Sequence, residues 1–234
     1  MQILKNNVLS TNALFALMFV TMTAALFLVF VYVPTEASMG IVQRIFYFHV
    51  PLAWVAFIAF GIVFIGSILY LRSSNRKWDR LAHSSAEIGM VFTSLVLITG
   101  PIWAKPVWGV WWTWDARLTT TLLLWFIYHG YLLVGSFASD ESQGARYSAV
   151  VGIIGFVDVP IVALSIVLWG TQHPEPVMSE PGGLTGAMLL TLMVSLAAFT
   201  LLFAYLLIHR VSLALAADEL KRLRQFADER DYDG

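Results

Sequence analysis

The sequence predicts an all-α integral membrane protein, a bundle of six transmembrane helices with a tryptophan-rich loop on its outer side. Hydrophobic residues make up 59% of the 234 residues and charged residues only 12%, about half the charged share of a soluble domain. Six apolar segments reach the roughly 20 residues that a helix needs to cross a bilayer. The connections are short, so residues 1–234 are expected to form a single transmembrane domain.

The predicted spans follow from length and composition. They are residues 13–33, 50–71, 84–103, 118–138, 148–169 and 184–208. Residues 209–234 form a polar tail with leucines at helical spacing, which predicts a cytoplasmic helix. This tail is interpreted either as a solvated extension of the last span or as a docking surface for a cytoplasmic partner.

The lysines and arginines predict the orientation. If the N-terminus is cytoplasmic, only three of the 14 Lys and Arg residues, Arg44, Lys105 and Arg117, fall on the outer side. Because positive charge is retained on the cytoplasmic side, both termini are predicted to be cytoplasmic. The tryptophan loop then faces outward.

Composition also narrows the class of function. The formal net charge is -1 and no basic patch is large enough to bind nucleic acid. The chain has no cysteine, which excludes disulfides, thiolate metal sites and cysteine nucleophiles. No nucleophile–base pair of the usual kind is visible in the sequence.

The tryptophan loop, residues 104–117, is the most unusual stretch of the chain. It holds four of the nine tryptophans, Trp108, Trp111, Trp112 and Trp114. Two ordinary explanations compete with a functional one: tryptophans gather at membrane–water boundaries, and Asp115 is a good N-cap for the fourth span. A boundary belt usually supplies one or two aromatics per helix end. A flat apolar platform for a large planar ligand is therefore an equally good interpretation.

Two histidines flank the tryptophan loop in sequence. His49 ends the first outer loop and His173 lies in the third, each at a helix end near a proline. Two neutral imidazoles from separate loops are a common way to hold a haem iron from both sides. Arg44, Lys105 and Arg117 would then meet carboxylates at the porphyrin rim. The ordinary alternative is that both histidines are polar residues of the membrane boundary.

Two further polar residues lie deep in predicted spans. His129 is expected to make one interhelical hydrogen bond. Asp158, two residues before Pro160, is expected to be paired or protonated beside a kink, with a proton relay as the alternative.

At these residues the chain resembles a known family. The run GPIWAKPVWGVWWTWDARLT resembles the WWD signature of the haem-handling proteins of cytochrome c maturation. Size and number of spans are similar to the CcmC family, haem exporter protein C. RIFYFHVP and GFVDVPIVALSIVLWGTQHP resemble the two histidine blocks of that family, and the resemblance covers about residues 43–174.

The resemblance implies a bacterial inner-membrane protein that binds haem b transiently at the periplasmic face and passes it to the haem chaperone CcmE. It implies that His49 and His173 are the axial ligands. It also implies a haem- and chaperone-facing signature formed by Trp108, Trp111, Trp112, Trp114 and Asp115. The implied membrane partners are the ABC transporter subunits CcmA and CcmB and the small protein CcmD.

Two other functions stay open from the sequence. A permease subunit of an ABC transporter, moving haem or another substrate, needs a polar path through the bundle, for which His129 and Asp158 are the deep candidates. A quinone-linked b-type membrane cytochrome usually places its haem ligands inside the spans. Here His49 and His173 lie at one surface.

Overall fold

The structure, a computed structural model, describes residues 2–169 and 184–232. Within these residues it contains no β-strand, only an isolated bridge between Glu36 and Gly40. Six helical segments are long and apolar enough to cross a membrane. The predicted all-α bundle with six spans is therefore confirmed. His173 lies outside the described residues.

The described residues form seven α-helices. They are α1 (Gln2–Phe27), α2 (Phe46–Ser73), α3 (Arg76–Trp108), α4 (Ala116–Val134), α5 (Glu141–Gly155), α6 (Asp158–Trp169) and α7 (Gly186–Tyr232). A π-helical turn, Leu28–Tyr32, extends α1, and 3-10 turns, Ile41–Ile45 and Gly135–Phe137, precede α2 and follow α4. The helix α7 is much longer than the predicted sixth span, because it continues through the polar tail.

The fifth span is broken between α5 and α6, near the predicted kink. Pro160 has no N–H, so it cannot donate to the carbonyl of Phe156. The N–H of Val159 donates to that carbonyl instead, at 3.1 Å. The break leaves Asp158 at the first turn of α6, only 6% exposed. Its Oδ2 has no hydrogen-bond partner among the described residues, so the expected pairing is not seen for that atom.

The centre of the bundle is the close packing of α2 against α3 and α4. Gly89 of α3 lies so near α2 that a Cβ there would meet the Cβ of Ala59 at 2.9 Å. On the neighbouring side, Phe60 of α2 stacks on Tyr128 of α4 with ring centroids 3.7 Å apart. Phe60 and Tyr128 are fully buried. This tight contact fixes α2, α3 and α4 relative to one another.

Ion pairs fasten one end of the bundle, here called the basic end and formed by residues 72–80, 138–146 and 209–232. They connect the polar part of α7 to α3 and α5. The pairs are Arg80 with Asp218 through two hydrogen bonds of 2.7 and 2.6 Å, Arg210 with Glu87 at 2.5 Å, and Glu141 with both Arg76 and Lys221. The opposite end, formed by residues 33–45 and 103–117, is here called the tryptophan end.

Candidate functional site

The tryptophan loop is shorter than the sequence predicts, because α3 continues to Trp108. The helix ends at Gly109, whose φ of 79° is left-handed and whose N–H donates to the carbonyl of Lys105 at 3.0 Å. Such a glycine cap ends many helices. Residues 109–115 therefore form the loop, and Trp108 belongs to the last turn of α3.

A cleft lies at the tryptophan end between α2, α3 and α4. It spans about 930 Å³ of empty space, a volume that includes open solvent at its mouth. Along α3 it extends from Trp108 to Thr93, about 22 Å at the rise of an α-helix. Its inner part is lined by Leu124 of α4 and Val162 of α6. The cleft therefore penetrates well into the bundle from one end.

His49 lines this cleft and is held in place by α3. It is the fourth residue of α2 and is 8% exposed. Its Nδ1 lies 2.8 Å from the hydroxyl oxygen of Thr99. On another side a Cβ at Gly100 would lie 3.4 Å from its Cε1, and Trp103 contacts the imidazole edge-on with ring centroids 5.9 Å apart. Three residues of one stretch of α3 thus fix the orientation of the ring.

Indole rings form much of the cleft wall. Of the predicted loop tryptophans, Trp108, Trp111 and Trp112 line the cleft, whereas Trp114 lies outside that lining and is 70% exposed. Trp114 has a left-handed φ of 54°, and its ring meets Trp112 edge-on at 5.5 Å. The structure therefore separates the four tryptophans into a lining group and one that projects to the surface.

Trp103 also lines the cleft, although sequence reasoning placed it at the end of a span and missed it. It is 5% exposed and packs against Phe46 as well as His49. No pattern in the sequence marks it, because its place in the site depends on the packing of α3 against His49. The indole Nε1 atoms of Trp103 and Trp112 are buried and have no acceptor among the described residues. They are donors that a ligand acceptor in the cleft would satisfy.

Asp115 and Arg117 lie where the loop enters α4. The predicted N-cap role of Asp115 is confirmed, since its Oδ1 accepts the N–H of Leu118 at 3.0 Å. Its Oδ2 accepts the hydroxyl of Thr113 at 2.8 Å, which braces the loop. Arg117 is half-buried and lines the cleft together with Asp115. A cationic side chain therefore reaches the otherwise mostly apolar wall.

The other two predicted cations bond to backbone carbonyls outside the described cleft lining. Lys105 donates from Nζ to the carbonyl of Gly109 at 2.8 Å, and Arg44 donates from Nη1 to the carbonyl of Phe30 at 3.2 Å. The buried Nε of Arg44 has no partner among the described residues. Their predicted contact with ligand carboxylates stays a prediction.

Glu36, in the connection between α1 and α2, is likewise bonded to the backbone. The carboxylate of Glu36 accepts the N–H groups of Met39 and Ser38. These two donors lower its pKa below the ordinary value for a glutamate. The carboxylate thus holds the turn before α2 in shape.

The hydrogen bonding of His129, the histidine deep in α4, differs from the prediction. The Nδ1 of His129 lies 3.3 Å from the carbonyl of Trp125 in its own helix, and the two rings are 3.9 Å apart. In the described residues the predicted interhelical hydrogen bond of His129 is therefore wrong. It is Trp125 that bonds between helices, because its indole donates to Ser94 of α3 at 2.8 Å.

The six spans and the cleft define a multi-pass membrane protein with an aromatic-lined cleft at one end of its bundle. The chain belongs to the CcmC family, Heme exporter protein C, whose family model matches residues 2–225. The family resemblance seen in the sequence is thereby confirmed.

Three relatives show the extent of the similarity. Heme exporter protein C of Bradyrhizobium diazoefficiens is 36% identical over 194 residues, which cover 82% of this chain and 71% of the relative. Heme exporter protein C of Haemophilus influenzae is 33% identical over 193 residues, 82% of this chain and 78% of the relative. A ccmC-like mitochondrial protein of cytochrome c biosynthesis from Marchantia polymorpha is 36% identical over 149 residues, 64% of this chain and 63% of the relative.

Proposed function

We propose that this protein binds haem in the cleft at its tryptophan end and presents it to a partner during cytochrome c maturation. The observation that carries the proposal is that His49 and four indoles, those of Trp103, Trp108, Trp111 and Trp112, line one cleft. An imidazole supplies the usual protein ligand to haem iron. Aromatic walls suit the faces of a porphyrin.

His49 is the proposed axial ligand from α2, and His173 is the proposed ligand on the opposite face. The chain supports this pairing in one respect. Val162 of α6 lines the cleft and the helix ends at Trp169. His173 follows four residues later, which is at most about 14 Å of extended chain. This short connection to a helix that lines the cleft supports the proposal that His173 is the second ligand.

The propionates of haem would be held by donors at the cleft. Arg117 lines the cleft, and a guanidinium binds carboxylates through paired hydrogen bonds. The buried N–H groups of Trp103 and Trp112 are further donors. Arg44 and Lys105 would join from the rim by exchanging a backbone carbonyl for a propionate.

Trp111 and Trp114 provide the proposed surface for haem transfer. They are 57% and 70% exposed at the tryptophan end, and aromatic residues are enriched in protein interfaces. We propose that the chaperone CcmE docks here and receives haem b, which is bound only transiently. The setting is the bacterial inner membrane, with the tryptophan end periplasmic, in a complex with CcmA, CcmB and CcmD.

The test is the absorption spectrum of the detergent-purified protein titrated with haem. We expect a spectrum typical of iron with two histidine ligands, and its loss in His49→Ala and in His173→Ala. His209→Ala is the matched control, because His209 lies at the basic end, where its ring meets Tyr205. An unchanged spectrum in both ligand variants would rule out the proposed ligation.

A further inference from the structure

The hydrogen bonds around Thr99 determine which nitrogen of His49 carries a proton. The Thr99 hydroxyl oxygen lies 2.8 Å from His49 Nδ1 and also 2.8 Å from the carbonyl oxygen of Leu95. A second carbonyl, that of Val96, lies 3.4 Å away. The hydroxyl has one hydrogen to donate, so it can serve only one of these neighbours strongly.

The contact with Leu95 decides where that hydrogen lies. A carbonyl oxygen only accepts, so two oxygens 2.8 Å apart repel each other unless a hydrogen lies between them. The Thr99 hydroxyl therefore donates to Leu95, as threonines inside helices often do toward the carbonyl four residues earlier. Its oxygen is then an acceptor toward His49, and His49 Nδ1 must be the donor.

We infer that Thr99 is a positioning residue that holds His49 as the Nδ1–H tautomer, so that Nε2 carries the lone pair offered to the iron. The inference rests on the proposed function for the identity of the ligand. Its structural part concerns this chain alone. A metal-binding histidine generally donates its other N–H to a partner that fixes its tautomer and orientation, and Thr99 is that partner here.

Two neighbours of Thr99 in α3 also restrict the orientation of the His49 ring. Gly100 leaves space beside His49 Cε1, and Trp103 contacts the ring from the next turn of α3. A rotation of the imidazole by half a turn would place Nδ1 away from Thr99 and lose the hydrogen bond. The helix α3 thus selects both the tautomer and the direction of the ring.

The hydrogen bond between His49 and Thr99 is also one to a neutral acceptor. A carboxylate in this position would accept a stronger, charge-assisted hydrogen bond and make the imidazole more basic. Thr99 is neutral, so it orients His49 without strengthening its bond to iron in this way. This choice suits haem that must later leave the site.

The first test is nuclear magnetic resonance of ¹⁵N-histidine-labelled protein in detergent, without haem. The His49 ring signals are assigned by their loss in His49→Gln. We expect Nδ1 to be protonated in the wild type and in Thr99→Ser, which keeps the hydroxyl. In Thr99→Val, which keeps the shape but not the acceptor, we expect a mixture of tautomers. A wild-type ring protonated on Nε2, or no change in Thr99→Val, would overturn the inference.

The second test adds haem. We expect Thr99→Val to weaken haem binding about 10- to 100-fold and to shift the reduction potential of the bound haem, with both restored by Thr99→Ser. If the ring of His49 is the Nδ1–H tautomer but no histidine-ligated haem forms, the proposed function is refuted. The role of Thr99 as a positioning residue then still stands. A histidine-ligated haem with equal potential and affinity in Thr99→Val would refute the role of Thr99 alone.

Discussion

The two ends of the bundle use charged side chains in opposite ways. At the basic end, arginines and a lysine meet carboxylates and tie α7 to α3 and α5. At the tryptophan end, within the described residues, Arg44 and Lys105 donate to backbone carbonyls and Glu36 accepts from backbone N–H groups. An ion pair neutralises both partners, whereas a carbonyl leaves the charge of the cation in place. The basic end is thus fastened by ion pairs, whereas the charges of Arg44 and Lys105 meet no carboxylate among the described residues.

The tryptophan end also holds buried polar atoms that lack a hydrogen-bond partner among the described residues. At the tryptophan end, Trp103 Nε1, Trp112 Nε1 and Arg44 Nε are buried without an acceptor among the described residues. Buried donors are normally satisfied, since an unmade hydrogen bond costs about 1–3 kcal/mol. This end therefore carries a cost that a bound ligand would remove. If the two ends are independent, each can be altered without changing the other.

The largest expected effect comes from Trp103→Ala. Trp103 is 5% exposed and packs on Phe46 and His49, so removing it leaves a cavity that costs about 3–5 kcal/mol of unfolding free energy. Chemical denaturation in detergent measures this loss. Trp111→Ala is the matched control, because Trp111 is 57% exposed and its removal should cost little. Equal losses in both variants would show that the cleft wall is not part of the packed core.

The second largest effect is expected from a side chain that blocks the cleft. A side chain at Gly100 would enter the space beside His49, so Gly100→Leu should weaken haem binding at least tenfold, about 1.4 kcal/mol. Gly130→Leu is the control, because nothing lies within 4 Å of a Cβ there. Equilibrium haem titration compares the two variants. If Gly100→Leu bound haem as the wild type does, the ligand would have to lie elsewhere.

The sequence was sufficient for the spans and for local features but not for the contacts that build the site. Hydropathy located the membrane helices, and the position of Asp115 before an apolar run predicted its cap. The continuation of α3 to Trp108 depends on a left-handed Gly109, which composition does not reveal. Thr99 and Trp103 join the site only because α3 packs against His49. That contact is tertiary, and no local pattern encodes it.

A smaller effect on stability is expected from removing one ion pair at the basic end. Arg80→Gln removes the paired hydrogen bonds to Asp218 and should cost about 1 kcal/mol, the upper end of the range for exposed ion pairs, because both side chains are only partly exposed. We expect faster hydrogen exchange in residues 209–228, a smaller difference at high salt and an unchanged haem spectrum. Arg222→Gln is the control, since Arg222 lies over the ring of Phe226. A haem spectrum altered by Arg80→Gln would show that the two ends are coupled.

The smallest expected effect on stability is at Trp114. Its φ of 54° is left-handed, a conformation that costs about 1–2 kcal/mol for a residue with a Cβ. Trp114→Gly removes this strain. It also raises the conformational entropy of the unfolded chain and loses the edge-on contact with Trp112. These effects oppose each other, so we expect a net change within about 0.5 kcal/mol. Trp114→Ala loses the same ring contact and keeps the strain, so it should be the less stable of the two variants. Denaturation of both variants separates backbone strain from ring contact, and equal stability would mean that the loop holds no strain. If haem transfer to CcmE nevertheless falls in both, the exposed indole of Trp114 serves the contact with the partner rather than the fold.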